Sequence, residues 1–217
     1  MAHSTAIVFA GGDGALPDPE RIPPVGLVIA ADSGFDTARA AGHAVDLLVG
    51  DMDSVSATGL GEARSAGTEI QQHPVDKDAT DLELALRAAL RRGAESIVVL
   101  GGGGGRFDHS IGNALLLSAP FLDGTDIRWE REHETVMRAL AGQPVTLNGR
   151  AGDLVSLLPA SGTVTGVTTE GLRWRLDDAV LEMGTSRGMS NEMTGAGASV
   201  AVAAGVVLIV HDRRRRT

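Results

Sequence analysis

The sequence contains no cysteine and no tyrosine, and aromatic residues make up only 3% of its 217 positions. Without cysteine the chain cannot form disulfides, zinc–thiolate sites or a thiol nucleophile. With so few aromatic side chains, its core must be built from alanine, valine, leucine and isoleucine. The hydrophobic content of 43% is ordinary for a globular chain and is sufficient for a sizeable core.

The sequence also lacks an excess of basic residues and a long apolar segment. Its formal net charge of −9 argues against a general nucleic-acid-binding protein, because such proteins carry a basic surface. The longest near-continuous apolar run, residues 198–210, is too short to span a bilayer and is typical of paired strands. The first residues show no basic segment followed by a cleavable apolar stretch. We therefore expect a soluble cytoplasmic protein without nucleic-acid or membrane partners.

Short apolar runs alternate with amphipathic segments over the first part of the chain. We predict strands at 5–10, 27–31, 46–49 and 96–100, and helices at 34–41, 56–65, 79–92 and 109–118. In the third helix apolar residues recur at helical spacing, and residues 80–83 read as a capping box. This alternation predicts an N-terminal α/β domain that is Rossmann-like, with a mainly parallel sheet covered by helices.

From about Ile127 the pattern changes to short strands and turn residues, without a convincing helix. The candidate strands lie at 145–147, 154–158, 164–169, 179–183, 199–203 and 206–210. Short strands repeated at this spacing predict a small, all-β, antiparallel β-sandwich. We therefore predict two domains, residues 1–140 and residues 141–217.

Acidic residues follow several predicted strands of the first part. Asp32 follows one strand, Asp51 and Asp53 follow the next, and Asp78 and Asp81 lie where the third helix begins. In an open α/β sheet, ligands bind outside the carboxyl ends of the strands. We therefore expect these carboxylates to lie near one edge of the sheet.

Two of these acids suggest a metal site. Asp51 and Asp53 are two residues apart on what we expect to be extended chain, so their carboxylates should point the same way. Two hard oxygen ligands suit Mg²⁺, and Asp32 and Asp81 could complete or support the site. The alternative for Asp51 and Asp53 is an Asx-type turn, and Asp81 could simply stabilise the start of its helix. Because the acids are grouped at neighbouring strand ends, we favour the metal site.

A glycine run at 101–105 places bare backbone N–H groups just before a predicted helix. Such a loop can bind phosphate oxygens, and Arg106 would add a charged contact. A flexible turn is the alternative, and the glycines at 11, 12 and 14 form a second candidate loop. Asp108 could cap the helix, and His109 is either a general base or a structural histidine.

The chain has a single lysine, Lys77, which lies beside carboxylates. Contact with a phosphate and a surface ion pair with Asp76 or Asp78 are both compatible with this position. The basic run 213–216 is either a solvated terminus or a partner site, and we favour the terminus.

Five segments resemble the signature blocks of the thiamine pyrophosphokinase family. They are GDMDS at 50–54, KDATDLE at 77–83, GGRFDH at 104–109, VTTEGLRW at 167–174 and GMSNE at 188–192. The resemblance runs in order from about Val8 to Ile209. It departs at Ser33, where glycine is frequent in the family.

The resemblance implies an α/β nucleotide domain followed by a β-sandwich. It implies a homodimer with its active site between subunits, and transfer of pyrophosphate from ATP to the hydroxyethyl group of thiamine, with AMP as the second product. It assigns Mg²⁺ binding to Asp51, Asp53 and Asp81, with Asp32 nearby. It assigns neutralisation of phosphate charge to Lys77 and Arg106, beside Gly104, Gly105 and His109. Asp78 or Asp108 would orient the substrate hydroxyl.

For thiamine, the resemblance implies stacking on Trp174 and hydrogen bonds from Ser190 and Asn191. Without it, Trp174 would be read as a core residue, and 190–191 as a turn. Two rival functions share these motifs. One is a pyrophosphokinase acting on another alcohol, such as a hydroxymethylpterin; the other is a non-catalytic sensor of thiamine diphosphate or a nucleotide.

Overall fold

The computed structural model describes residues 5–213, so residues 214–216 of the basic run lie outside it. The chain divides into two compact units. The first comprises the described chain up to Leu116 together with Phe121–Glu132, and the second comprises Leu117–Pro120 together with the chain from His133 onward. Within residues 5–213, no helix is long and apolar enough to cross a membrane.

The first unit alternates strands and helices. Its strands are β1 (Thr5–Ala10), β2 (Leu27–Ala31), β3 (Leu47–Gly50), β4 (Glu69–Gln72), β5 (Ser96–Gly101) and β6 (Asp126–Glu130). Its α-helices are α1 (Gly34–Ala40), α2 (Ala57–Ala66), α3 (Asp81–Arg91) and α4 (Phe107–Leu116). Short 3-10 helices occur at Pro19–Arg21 and Pro120–Leu122.

The sheet of this unit has the order β6-β5-β1-β2-β3-β4, and every neighbouring pair is parallel. The order grows from β1 through β4 on one side, and β5 and β6 lie on the other side of β1. The carboxyl ends of β1 and β5 therefore flank the point where open α/β sheets bind ligands. The mainly parallel sheet expected from the sequence is present.

Apolar runs form the central strands because both faces of the sheet are covered. On one face, Ile7 and Phe9 of β1 share a hydrophobic cluster with Phe35 of α1 and Ala63 of α2. Burying a large apolar side chain contributes about 1.5–3 kcal/mol, so this cluster holds both helices on the sheet. Thr80 caps α3 by accepting a hydrogen bond from the Glu83 N–H at 3.2 Å, as the predicted capping box requires.

Strands β4 and β6 are absent from the prediction. The sequence of β4, EIQQ, is mostly polar because β4 is the last strand of the order and its residues are at least partly exposed. In β6, DIRWE, polar and apolar residues alternate, and only Ile127 and Trp129 are buried apolar residues. Neither segment has the continuous apolar run that identifies a strand covered on both faces.

The second unit is β-rich. Its strands are β7 (Glu134–Leu140), β8 (Val145–Asn148), β9 (Leu154–Pro159), β10 (Thr163–Glu170), β11 (Ala179–Glu182), β12 (Asn191–Glu192), β13 (Gly197–Ala201) and β14 (Val206–Asp212). They pair antiparallel in the orders β12-β9-β14-β7 and β11-β10-β13-β8. Leu157 and Ile209 from the first group share one hydrophobic cluster with Val164 and Val200 from the second. The prediction lacks β7 and β12 and overlaps each of the other strands.

Gly34 lets α1 begin against the backbone of β1. A Cβ atom at this position would lie 2.1 Å from the carbonyl oxygen of Phe9, far inside van der Waals contact. The close approach fixes the start of α1 and, with it, the neighbouring Asp32. Any larger residue must push the helix away from the sheet.

We expect Gly34→Ala to lower the free energy of unfolding by about 1–3 kcal/mol, the usual cost of overpacking. Helix propensity acts in the opposite direction by roughly 1 kcal/mol, so the clash should prevail. The matched control is Gly61→Ala in α2, where an added Cβ meets nothing within 4 Å. That change should be neutral or stabilising in urea denaturation, and equal effects of the two changes would contradict the close packing at Gly34.

Candidate active site

A cavity of about 510 Å³ opens at the carboxyl edge of the parallel sheet. Its walls come from the segments after β1, β2, β3 and β5, the start of α3 and one side of α4. The predicted acids that line it are Asp32, Asp51, Asp53 and Asp81. The other predicted residues that line it are Gly104, Gly105, Arg106 and His109. The sheet therefore brings most of the predicted residues of this unit to one place.

Three carboxylates converge in this cavity. One oxygen from each of Asp32, Asp51 and Asp53 lies within 4.8 Å of the other two. Asp81 is not part of that group, and its Oδ1 lies 2.9 Å from Nζ of Lys77. Asp32 thus joins the two acids of the 51–53 segment, and Asp81 lies next to Asp51 across the Lys77 amine. That Asp81 is a metal ligand stays a prediction.

The backbone at two of these positions is strained. Asp32 has φ +46° and Met52 has φ +69°, a left-handed conformation that costs a residue other than glycine about 1–3 kcal/mol. Met52 lies between Asp51 and Asp53, so this segment bends. The expectation of extended chain is therefore wrong here. The Asp53 N–H donates to Asp51 Oδ1 at 3.2 Å, which is the Asx-type turn, and the carboxylates converge through that turn.

Asp32 is the most buried member of the group, at 8% exposure. Its Oδ1 is buried and has no hydrogen-bond partner among residues 5–213. Burial, with repulsion from Asp81, Asp51 and Asp53, raises the pKa of Asp32, although a hydrogen bond with Ser54 opposes the rise. A buried, unpartnered carboxylate oxygen beside two further carboxylates is a donor set that fits a hard divalent cation such as Mg²⁺.

Lys77 already places one positive charge at the edge of this group. Its Nζ lies 2.7 Å from Asp51 Oδ2 and 2.9 Å from Asp81 Oδ1, and all three side chains are mostly buried. The hydrogen bond from Lys77 lowers the pKa of Asp51. Burial alone would lower the pKa of Lys77, but its two carboxylate partners outweigh burial and raise it. The expected alternatives, pairs with Asp76 or Asp78, are not the contacts that the structure gives Lys77.

The glycine loops after β1 and β5 contact each other at the cavity. The Gly14 N–H donates to the Gly103 carbonyl at 2.7 Å. Gly104 has φ +78°, and a Cβ there would lie 2.9 Å from Gly14 N, so glycine is required. Trp129 stabilises the loop after β5, because its indole N–H donates to the Gly101 carbonyl at 2.6 Å.

One side of α4 supplies polar groups to the cavity. His109 lines it, and so does Asn113, whose Nδ2 donates to the Gly102 carbonyl at 2.9 Å. Asn113 is not among the residues predicted from the sequence. Its spacing of four residues from His109 on a predicted helix was the available signal, since residues so spaced share a face.

Two predicted acids lie outside the cavity lining. Asp108 accepts two hydrogen bonds from Arg106, at 3.2 and 2.5 Å, and this pairing lowers the pKa of Asp108. Both side chains of the pair are exposed, and exposed ion pairs are weak, so Arg106 can exchange this partner for another anion. Asp78 is exposed as well.

In the second unit, Trp174 is 53% exposed, so the reading of it as a core residue is wrong. Its backbone N–H donates to Asn191 Oδ1 at 3.0 Å, and Asn191 Nδ2 donates to its carbonyl at 2.7 Å. Asn191 is itself only 4% exposed. The guanidinium carbon of Arg173 lies 4.9 Å from the indole centroid. Ser190 is exposed, with φ +55°, at the turn before β12.

We expect Lys77→Met to lower the free energy of unfolding in EDTA by about 1–3 kcal/mol, because Asp51 and Asp81 lose their shared cation. Added Mg²⁺ should restore more stability to this variant than to the wild-type protein. The matched control is Arg39→Met, which removes an exposed pair with Glu62 and should change little. A Lys77→Met variant as stable as wild type in EDTA would show that the pairing contributes nothing.

Comparison with known proteins gives matches over both units. The family model described as "Thiamin pyrophosphokinase, catalytic domain" matches residues 23–128, and "Thiamin pyrophosphokinase, vitamin B1 binding domain" matches residues 144–207. Thiamine pyrophosphokinase of Bacillus subtilis (strain 168) is 26% identical over 186 residues, covering 86% of this chain and 87% of that protein. Thiamine pyrophosphokinase 1 of Oryza sativa subsp. japonica is 30% identical over 170 residues, covering 67% and 58% respectively.

The crystal structure of thiamine pyrophosphokinase from Bacillus subtilis shares the fold. It matches with a TM-score of 0.85 at 24% identity, over 98% of this chain and 100% of that one. The two family models match in sequence order and together cover most of the chain. The chain therefore belongs to the thiamin pyrophosphokinase family.

Proposed function

We propose that this chain transfers the pyrophosphoryl group of ATP to the hydroxyethyl oxygen of thiamine, producing thiamine diphosphate and AMP. The observation that supports this function most directly is the convergence of Asp32, Asp51 and Asp53 beside two glycine loops in one cavity. We also propose that the first unit is a Rossmann-like nucleotide domain and the second a β-sandwich that binds thiamine. The parallel strand order supports the former, and the shared hydrophobic cluster supports the latter.

The reaction asks for positioning and charge neutralisation. The thiamine hydroxyl oxygen attacks the β-phosphorus in line, and its proton passes to solvent. The bond from that phosphorus to the oxygen shared with the α-phosphorus breaks, and AMP leaves with the electron pair. Such a transfer needs no covalent intermediate with the protein. Carboxylates, backbone N–H groups and cationic side chains are the groups that this chain offers, in keeping with that demand.

In this proposal Asp51 and Asp53 hold Mg²⁺, and Asp32 supplies the third carboxylate. Mg²⁺ held there would supply positive charge that offsets the charge of the triphosphate. Asp81, predicted as a ligand, contacts Lys77 and keeps its amine at the edge of the cluster. The Lys77 amine can exchange Asp51 for a phosphate oxygen when the triphosphate binds.

The glycine loops and the start of α4 form the phosphate side. Gly104 and Gly105 line the cavity with backbone, and Arg106 can exchange Asp108 for a phosphate oxygen. His109 contributes a side chain to the same wall. The role of Asp78 or Asp108 in orienting the substrate hydroxyl stays a prediction that cavity geometry does not support, since both lie outside the lining.

On the thiamine side we propose that Trp174 stacks on the cationic ring system, an interaction worth about 0.5–2 kcal/mol. Its ring is exposed, and the Arg173 guanidinium over the ring shows that the indole already contacts a cation. Asn191 is mostly buried and bonds the Trp174 backbone through both ends of its amide, so we propose that it positions Trp174. Ser190 is exposed, and its hydrogen bond to the aminopyrimidine stays a prediction.

We further propose that the chain acts as a homodimer with the active site between subunits. Helix α4 supports this proposal. Its residues Phe107, Ile111 and Leu115 are 77%, 44% and 48% exposed and share one face, since they recur every fourth residue. A second copy of the chain would cover this apolar stripe and stabilise the helix that supplies Arg106 and His109.

Light scattering after gel filtration tests the dimer. Wild type should elute at twice the chain mass, and Ile111→Arg should shift the mass toward a single chain, because a charge would be buried in the interface. Ala66→Arg, on the exposed end of α2, is the control and should leave the mass unchanged. A wild-type protein that is monomeric at micromolar concentration would rule the dimer out.

The function is tested by mass spectrometry of the products formed from ATP, Mg²⁺ and thiamine. Wild type should form thiamine diphosphate and AMP, and Asp51→Asn should lower kcat by about 100-fold or more, as for loss of a group that stabilises transition-state charge. Glu62→Gln, which removes an exposed charge from α2, is the control and should retain full activity.

Other product patterns separate the rival functions. Thiamine monophosphate with ADP would keep the substrate and contradict pyrophosphoryl transfer. AMP formed with a hydroxymethylpterin, but not with thiamine, would identify another alcohol as the acceptor. Binding of thiamine diphosphate without any turnover would favour a sensor.

A further inference from the structure

Asp36, outside the cavity lining, links the two segments that supply the acidic cluster. Its carboxylate accepts two hydrogen bonds from one residue, Ser56: from the backbone N–H at 2.9 Å and from the hydroxyl at 2.6 Å. Ser56 is also the N-cap of α2, where its Oγ accepts the Gly59 N–H at 2.9 Å. One carboxylate in the first turn of α1 therefore fixes the start of α2.

The link between Asp36 and Ser56 lies close in the chain to the three acids of the cluster. Asp36 lies four residues after Asp32 in the chain, and Ser56 lies three residues after Asp53. The link therefore closes the gap between the β2–α1 segment, which supplies Asp32, and the β3–α2 segment, which supplies Asp51 and Asp53. The buried Val55 immediately precedes Ser56 and packs in the same hydrophobic cluster as Phe35, the residue before Asp36.

The two segments need such a link because their carboxylates repel each other. One carboxylate oxygen from each of Asp32, Asp51 and Asp53 lies within 4.8 Å of the other two, so the ionised, metal-free cluster tends to separate. Lys77 relieves part of this repulsion through its ion pairs with Asp51 and Asp81. The Asp36–Ser56 link joins the Asp32 segment directly to the 51–53 segment.

We propose that Asp36 is a positioning residue that holds Asp32 at metal-binding distance from Asp51 and Asp53. The inference rests on the proposed function, since it assigns a role to the same acidic cluster. Groups that orient metal ligands from behind typically change metal affinity by about 10–100-fold when removed. Asp36 touches neither nucleotide nor metal in this account, and it acts through Ser56.

The chain offers a matched control at the opposite end of the same strands. Asp46 also joins the β2 and β3 segments: its Oδ2 accepts the Val28 N–H at 2.8 Å, and its own N–H donates to the Val28 carbonyl at 2.9 Å. Val28 and Asp46 lie where these strands begin, so Asp46→Ala removes a comparable link away from the cluster. It should lower stability without changing metal affinity.

The experiment measures binding of Mn²⁺ alone, by calorimetry, to wild type, Asp36→Ala, Ser56→Ala and Asp46→Ala. Asp36→Ala should weaken Mn²⁺ binding by about 10-fold, and Ser56→Ala by less, because its backbone N–H still reaches Asp36. Ser56→Thr keeps the hydroxyl and should therefore bind Mn²⁺ with the affinity of the wild type. In activity assays, Asp36→Ala should raise the Mg²⁺ concentration for half-maximal rate and leave the KM for thiamine unchanged.

Several outcomes would overturn the proposal. If Asp36→Ala and Ser56→Ala bind Mn²⁺ as wild type does, Asp36 serves only stability. The same conclusion follows if Asp46→Ala weakens binding equally. If Asp36→Ala fails to fold, Ser56→Ala and Asp36→Asn replace it, and wild-type Mn²⁺ affinity in both would overturn the proposal. If the wild type makes thiamine diphosphate and the variants keep its Mn²⁺ affinity, only this inference is contradicted. If the wild type shows no turnover, the proposed function is contradicted.

Discussion

Repulsion among three carboxylates held within 4.8 Å of one another is the constraint on which the rest of the site depends. Such a cluster is unfavourable in a folded protein unless other contacts hold it together or a cation neutralises it. This chain has contacts of both kinds in place. Lys77 pairs with Asp51 and Asp81, and Asp36 joins the two acidic segments through Ser56. The left-handed backbone of Asp32 and Met52 adds strain of the sort found where geometry serves binding.

The parallel sheet supplies the rigidity that makes this arrangement sustainable. Its central strands are buried, and α1 begins in contact with β1 at Gly34. The glycine loops after β1 and β5 meet where the strand order reverses. Trp129 and Asn113 donate hydrogen bonds to backbone carbonyls of the second loop. Neighbouring strand ends thus carry the backbone N–H groups that can bind phosphate and the carboxylates that can bind a cation. The packing of the core fixes the positions of these strand ends.

Elements that depend on local pattern were predictable from the sequence. Strands β1 and β2 have the predicted limits because their apolar runs are continuous, and α3 begins at its cap. The capping box is half present: Thr80 accepts the Glu83 N–H, while the Glu83 carboxylate pairs with Arg87. Features that depend on tertiary contact were not predictable. The polar edge strand β4 is an example, because its pairing with β3 rather than its own pattern makes it a strand. The gathering of Asp32, Asp51 and Asp53 at one edge of the sheet was expected, and the Asx-type turn at 51–53 was the alternative considered.

Anomalous diffraction from crystals grown with Mn²⁺ and a non-hydrolysable ATP analogue tests the central claim most directly. The account predicts a manganese peak bonded to carboxylate oxygens of Asp51 and Asp53, with Asp32 beside it and Lys77 turned from Asp51 toward a phosphate. A peak elsewhere, or a nucleotide bound in the cavity while Lys77 still pairs with Asp51 and no metal lies among the three acids, would contradict it.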